Sequence, residues 1–559
     1  MQSYIIQHTP NNLRYLDFTF QFDNQKEFVD VKLPKWRPGR YELGNFAKNI
    51  RGFRAYDAEK NQAITFKKID SHTWRVFASG KNIKINYQYY AATLNAGSTF
   101  SDDALLFVNP VNCCMYIDEK INDKIELEIK VKENFKIACS LEKITENKYL
   151  ALDFHELADS PILSSEELVK KEFFSHGVQF NLWFHGMLSL DEKFIDDVKK
   201  YTNTQIEIFG DFPVSSYDYL FIFTNNRAYH GVEHSKGTAI YLGPDTDIFS
   251  DRYKDLLGVS SHELFHTWNV KCFRDEKMTP YKYDKENYSE LGYIAEGVTT
   301  FYGDWTLYRS GVFSKEDFLN ELTNLYQKYQ NNLGRKYYSV AESSFDTWLD
   351  GYELGAPNRK VSIYNEGAII TFIIDVYIRK NSDNKLSMDN VLKELYKNYK
   401  LNNKAYNDVI FLNILESISG LDFSEFFENY IYSNKDLTPL FDEALNYHNF
   451  EVIKNENIDY IAKYLGVKLT ENEGKIQVVS IYPESIAQCI GLNVFDELIS
   501  INNRKIESIN YLNNFIKAVS NSKSELFIHY FSNNCLKKAQ VSTIDFNNIY
   551  YQDYKVISK

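Results

Sequence analysis

No stretch of 18 apolar residues occurs in this 559-residue chain. The strongest candidate, "GAIITFIIDVYI", is cut by Asp375 and closed by Arg379 and Lys380, so it reads as a buried helix rather than a membrane span. Positive charge is not in excess: 63 Lys and Arg stand against 76 Asp and Glu, a formal net charge of -13, which argues against a protein that grips nucleic acid. Proline is scarce, 11 in all, and leaves no room for long proline-rich tails. The six cysteines fall in no framework spacing and no CxxC, as expected for reduced thiols in a cytosol. The first residues, "MQSYIIQHTPNNLRYLDF", lack a basic stretch followed by an apolar core and a cleavage site. The expectation is a cytoplasmic protein without a membrane partner.

What is present is a globular composition, 44% hydrophobic and 25% charged, in a chain long enough for several domains. Residues 1–170 read as short alternating runs such as "LRYLDFTFQF" and "KIELEIKV", separated by Asn, Asp, Gly and Pro, which predicts a β-rich domain. From 171 to 450 the pattern turns to longer helical segments after a few strands, notably "DYLFIFTN" and "GTAIYLG". Residues 451–559 carry strands, a short helix and a turn near Gly491, and form a separate module. The fold class is therefore multidomain α+β.

The helical region contains "SSHELFHTWNVK". His262 and His266, at i and i+4, share one helix face and can converge on one ion, while Glu263 projects to the side, where a catalytic base belongs. Two hydrogen-bonded structural histidines are the alternative. Catalytic zinc takes three protein ligands, and His₂Glu is one such set. The segment "SELGYIAEGVTTFYGDWTLYRSG" predicts a helix from Ser289 to about Gly311 with two acidic residues, Glu290 and Glu296. Glu296 sits among apolar neighbours, where an ionised carboxylate needs a partner such as a metal; Glu290 suits the helix start. Glu296 is the expected third ligand. Trp268, Asn269 and Arg274 could support the site or simply pack.

"HELFHTWNVK" followed by "YIAEGVTTFYGD" resembles the glycyl aminopeptidase family of gluzincin zinc metallopeptidases. The resemblance extends to "LPKWRPGRYELGNFAKNIRGFRAYD", "ADSPI", "SSFDTWLDG" and "VSIYNEGAIITFIIDVYIRK". It implies a β-rich amino-terminal domain, a thermolysin-like, mostly helical catalytic domain that uses Zn²⁺, and a carboxy-terminal PDZ domain. It also implies an aminopeptidase acting on peptides with a free amino terminus, with a preference for Gly or Ala. "YHGVEHSKGTAIYLG" resembles the family's "GGLEH" segment and makes Glu233 the expected ammonium anchor, with His230 in place of the first glycine. Tyr364 matches the family's oxyanion-stabilising tyrosine, although the lysine that follows in the family is Glu366 here. Cys272 and Asp275 replace a basic residue and a proline. In the last module "YLGV" at 464–467 and "SIAQCIGLNVFDELISINNRKI" resemble a PDZ domain that takes a carboxy-terminal peptide by strand addition. Phe495 stands where glycine is usual, so that turn is expected to be rebuilt. Two rival readings remain: a non-catalytic binding protein acting through the PDZ module, and an endopeptidase if Glu233 lies far from the metal.

Overall fold

The computed structural model describes the whole chain except positions 1, 10–13, 79, 354, 401–403, 456–458, 473, 520–524 and 542–547. The chain forms two compact units, one of 1–318, 336–355 and 360–437, the other of 319–335, 356–359 and 438–559.

The first unit begins with strands whose every second side chain is buried, the signature of a sheet with one wet face. In Tyr15–Asn24 the buried set is Leu16, Phe18, Phe20, Phe22 and Asn24. This strand runs antiparallel to both Gln2–His8 and Lys81–Tyr90 at the centre of an eight-stranded sheet. A smaller sheet orders Lys136–Cys139, Ile162–Ser165, Leu105–Val108 and Phe100–Ser101. Its Leu105, Phe107, Ala138 and Leu163 share a core with Leu220, Ile222, Val232 and Ala239 of the next sheet.

That next sheet is five-stranded, in the order Val169–Ser175, Val178–His185, Ser216–Phe223, Gly237–Gly243, Ala228–His234. Ala228–His234 is therefore an edge strand, paired antiparallel to Gly237–Gly243 with Glu233 opposite Thr238 and Gly231 opposite Ile240. Helix Glu192–Phe209 joins Val178–His185 to Ser216–Phe223, and helices Tyr253–Phe265, Thr299–Arg309 and Ile363–Asn381 follow the sheet. The apolar run ending at Ile378 lies buried inside the last of them, and among the described residues no helix is long and apolar enough to cross a membrane.

One element differs from the sequence expectation. The helix expected from Ser289 starts at Tyr293, as a π-helical turn, Tyr293–Val298, that leads into Thr299–Arg309. Ser289 does cap, but its Oγ accepts from Leu291 N at 3.0 Å and donates to Asp275, which anchors it outside the helix. The wider turn is seated on Ile363–Asn381 by a glycine pair: a Cβ on Gly297 would collide with the backbone of Gly367. Only residues without side chains allow this approach.

In the second unit Val467–Asn472, Lys475–Ile481, Glu497–Ile501, Leu526–Ser532 and Cys535–Val541 form a sheet in that order, with helices Tyr460–Leu465, Ile486–Cys489 and Ile509–Val519. Gly466, at φ +71°, turns the chain from the first helix into the edge strand Val467–Asn472. At Phe495 the chain turns in the left-handed region. Phe495 keeps a left-handed backbone, φ +74°, with its ring 82% exposed, because Phe495 N bonds to Val478 O at 2.9 Å and Asn493 N to Asp496 Oδ2 at 2.8 Å. A side chain in that region costs about 1–2 kcal/mol. Phe495→Gly is therefore expected to raise the module's unfolding free energy by about 1 kcal/mol, read from denaturant melts.

Candidate active site

The helix Tyr253–Phe265 and the turn after it present His262 and His266 to the same point, their Nε2 atoms 3.1 Å apart. The π-turn brings Glu296 to them, its Oε2 3.4 Å from His266 Nε2 and 3.9 Å from His262 Nε2. Gly303 lets the two helices approach, since His262 backbone lies in its side-chain space. The three donors lie within 4.8 Å of one another and are the one such group among the described residues. Glu290, the other acidic candidate, instead pairs with Lys277 at 2.8 Å on the surface.

Two of the three donors, His266 and Glu296, are held from behind. His266 Nδ1 lies 2.8 Å from Asn269 O, and donation there turns Nε2 toward Glu296. Asn269 also donates to Ile294 O at 2.9 Å and Thr299 Oγ1 at 3.1 Å, joining the segment after the histidines to the π-turn. Tyr41, from the β-rich region, donates to the remaining oxygen of Glu296 at 2.7 Å. Trp268 is packing: fully buried, it stacks on Phe209 with centroids 4.6 Å apart. Arg274 lies over the Tyr281 ring at 4.0 Å.

Electrostatics follow from crowding charges in a buried place. Burial and the neighbouring His266 hold His262 down to about 3. Burial would lower His266 too, but the Glu296 carboxylate outweighs it and raises that imidazole to about 9. Glu296 is itself held below the usual carboxylate range, since His266, His262 and Tyr41 overcome its burial. Glu263 is pushed up to about 8, chiefly by burial and then by Glu233 and Glu296. Its Oε2 is buried with no hydrogen-bond partner.

Glu233 lies on the edge strand, 8% exposed, with its carboxylate against Gly39 where a Cβ would collide. Two residues back, Gly231 covers the Glu263 carboxylate in the same way, so this strand runs alongside Glu263. Tyr364, in the first turn of Ile363–Asn381, is 36% exposed, and among the described residues its hydroxyl makes no hydrogen bond. Although the ring is part-exposed, desolvation of the hydroxyl and then the Glu296, Tyr352, Glu233 and Glu263 charges raise it well above the usual tyrosine range. Glu366 lies buried in the same first turn, where the helix dipole favours negative charge, which makes the loss of a lysine there tolerable.

The segment "ADSPI" supplies Asp159, which accepts from Lys271 Nζ at 2.7 Å and Ser235 N at 2.8 Å and lies 3.2 Å from His234 Nδ1. His234 thus ties the hairpin rather than entering the site. Lys271 supplies a cation next to Cys272, whose thiol burial pushes up to about 12.

Sequence reasoning missed Tyr41 and Arg37, while Asn269 was among the supports it offered. The first two lie within "WRPGRY", a run with no periodicity to assign it to a site more than 200 residues away. Because Tyr41 holds the outer oxygen of Glu296, Tyr41→Phe is expected to weaken divalent-metal affinity about tenfold, measured by chelator competition.

The chain matches the family models for the Peptidase M61 N-terminal domain over residues 3–166, the M61 glycyl aminopeptidase over 255–370 and the PDZ domain over 458–528. A comparison with curated proteins finds no match. Among solved structures it resembles an aminopeptidase N family protein from Idiomarina loihiensis at TM-score 0.92 and 25% identity, covering 100% of this chain and 98% of that one. An M1 zinc metallopeptidase from Deinococcus radiodurans aligns at TM-score 0.49 and 11% identity, over 78% of this chain and 93% of that one.

Proposed function

The chain belongs to the M61 glycyl aminopeptidase family, and from that premise we propose that it is a zinc aminopeptidase removing small residues, Gly or Ala, from peptide amino termini. The observation that carries the metal reading is the donor spacing. Tetrahedral zinc with ligand bonds of about 2.0–2.1 Å places its donors about 3.3 Å apart. The three donor pairs here span 3.1, 3.4 and 3.9 Å. With two imidazole nitrogens and one carboxylate, the set leaves a fourth position open, as catalytic zinc requires.

His262, His266 and Glu296 would hold the ion. When bound, it supplies Lewis acidity to a water and to the scissile carbonyl. Glu263, buried and with an unpartnered oxygen, takes a proton from that water and delivers it to the leaving amine. Tyr364 donates its hydroxyl hydrogen to the carbonyl oxygen as negative charge develops there. Glu233 receives the substrate ammonium and fixes which bond reaches the base. The placement of Gly231 against Glu263, two residues from Glu233, supports an exopeptidase over an endopeptidase. The second unit's edge strand, Val467–Asn472, suits a carboxy-terminal peptide added as a further strand. Six free thiols suit a reducing compartment such as the cytoplasm.

The test is hydrolysis of glycyl and alanyl chromogenic substrates with free and acetylated amino groups, with and without chelator. Chelator-sensitive cleavage of the free forms alone is expected. Equal cleavage of the blocked forms would establish an endopeptidase, and zinc binding with no cleavage would establish a binding protein.

A further inference from the structure

Arg37 is a buried cation with little protein to answer it. It is 4% exposed, and its guanidinium packs against Gly97 so closely that a Cβ there would collide with it. Of its five N–H donors, it uses Nη1 to reach Pro38 O, 3.2 Å away. Among the described residues no carboxylate lies within ion-pair distance, 4.0 Å, of it. Burying such a charge without a partner is costly. Its loop reaches the site at two points, Gly39 against Glu233 and Tyr41 on Glu296.

The edge strand gives the substrate a direction. With its ammonium at Glu233, a peptide laid along the free edge of Ala228–His234 can run toward either end. Glu263 lies at Gly231, so the cleaved bond lies on that side, and the chain runs antiparallel toward Tyr229. The residue after the bond then comes to His230. That imidazole is held down to about 3 by burial, then by Arg37 and Arg40. Arg40 is already engaged, with Glu42 and over the Tyr352 ring at 4.4 Å. Arg37 keeps donors to spare.

We propose that Arg37 binds a carboxylate carried by the residue just after the cleaved bond, which makes dipeptides with a free α-carboxylate the preferred substrates. This deepens the aminopeptidase reading and rests on Glu233 as ammonium anchor. An aspartate or glutamate side chain at the same residue offers the same chemistry.

The experiment compares glycylglycine, glycylglycinamide, glycylaspartic acid α-amide and acetylglycylglycinamide on the full-length zinc-loaded protein. Glycylglycine is expected to exceed its amide about tenfold to hundredfold in kcat/KM, mainly through KM, as for hydrogen bonds to a charged partner. Rescue by the aspartyl α-amide would extend the preference to side-chain carboxylates; no rescue would confine it to the α-carboxylate. In Arg37→Gln the acid-to-amide ratio should approach one, while Arg37→Lys should keep part of it; melting curves and metal content confirm that both are folded. If the wild type hydrolyses acid and amide within threefold of each other, the proposal is overturned even if neither variant folds. Cleavage of the acetylated peptide would overturn the aminopeptidase reading itself, a separate signature.

Discussion

Glu263→Gln is expected to cut kcat on a free-amine glycyl substrate by two to four orders of magnitude while leaving metal content at the wild-type value. The magnitude is that of a positioned general base. Glutamine keeps the volume and the buried contacts but cannot accept the water proton. The residue lies one position from His262 yet outside the three-donor group, so its loss leaves the donors in place. The native side chain also carries an orphaned buried oxygen, which glutamine would fill with a polar atom of similar size, so no fold defect should accompany the loss. Turnover within tenfold of wild type, with metal bound, would remove Glu263 from its assigned role.

The second large effect belongs to Glu296→Ala. It deletes the only acidic donor of the cluster and leaves two imidazoles, with no third ligand among the described residues. Removing a group that merely supports a ligand costs tenfold to hundredfold in metal affinity, so losing the ligand should exceed hundredfold, with activity vanishing at trace zinc. The order of affinities then separates the roles: wild type, Tyr41→Phe about tenfold weaker, Glu296→Ala at least a hundredfold weaker. Glu296→Gln, closer in shape, guards against a folding artefact. Equal zinc content in Glu296→Ala and wild type after dialysis would show that the ion sits elsewhere.

Local spacing was the most readable part of the site. Two histidines four apart must share a face of their helix, and an acidic residue among Ile294, Ala295 and Val298 had to be answered by something. The β-rich character of the first strands was equally plain, because alternation of apolar residues survives inspection without any partner. The helix start was misplaced for a physical reason: Ser289 has capping chemistry, but its hydroxyl is tied to Asp275, and the helix opens later as a wider turn that no composition signals. At Phe495 hydrogen bonds around the turn impose a backbone that its own side chain resists, which composition alone does not signal. Tyr41 could not be found by spacing at all, because it meets Glu296 across 255 positions of sequence.

That long-range bond also bears on how the enzyme can be divided. A fragment that begins after the β-rich region would keep its histidines and its glutamates, yet it would surrender the hydroxyl that steadies one of them. Grafting experiments that exchange only the helical half between relatives should therefore yield hybrids whose metal retention tracks the donor of the first half rather than that of the second.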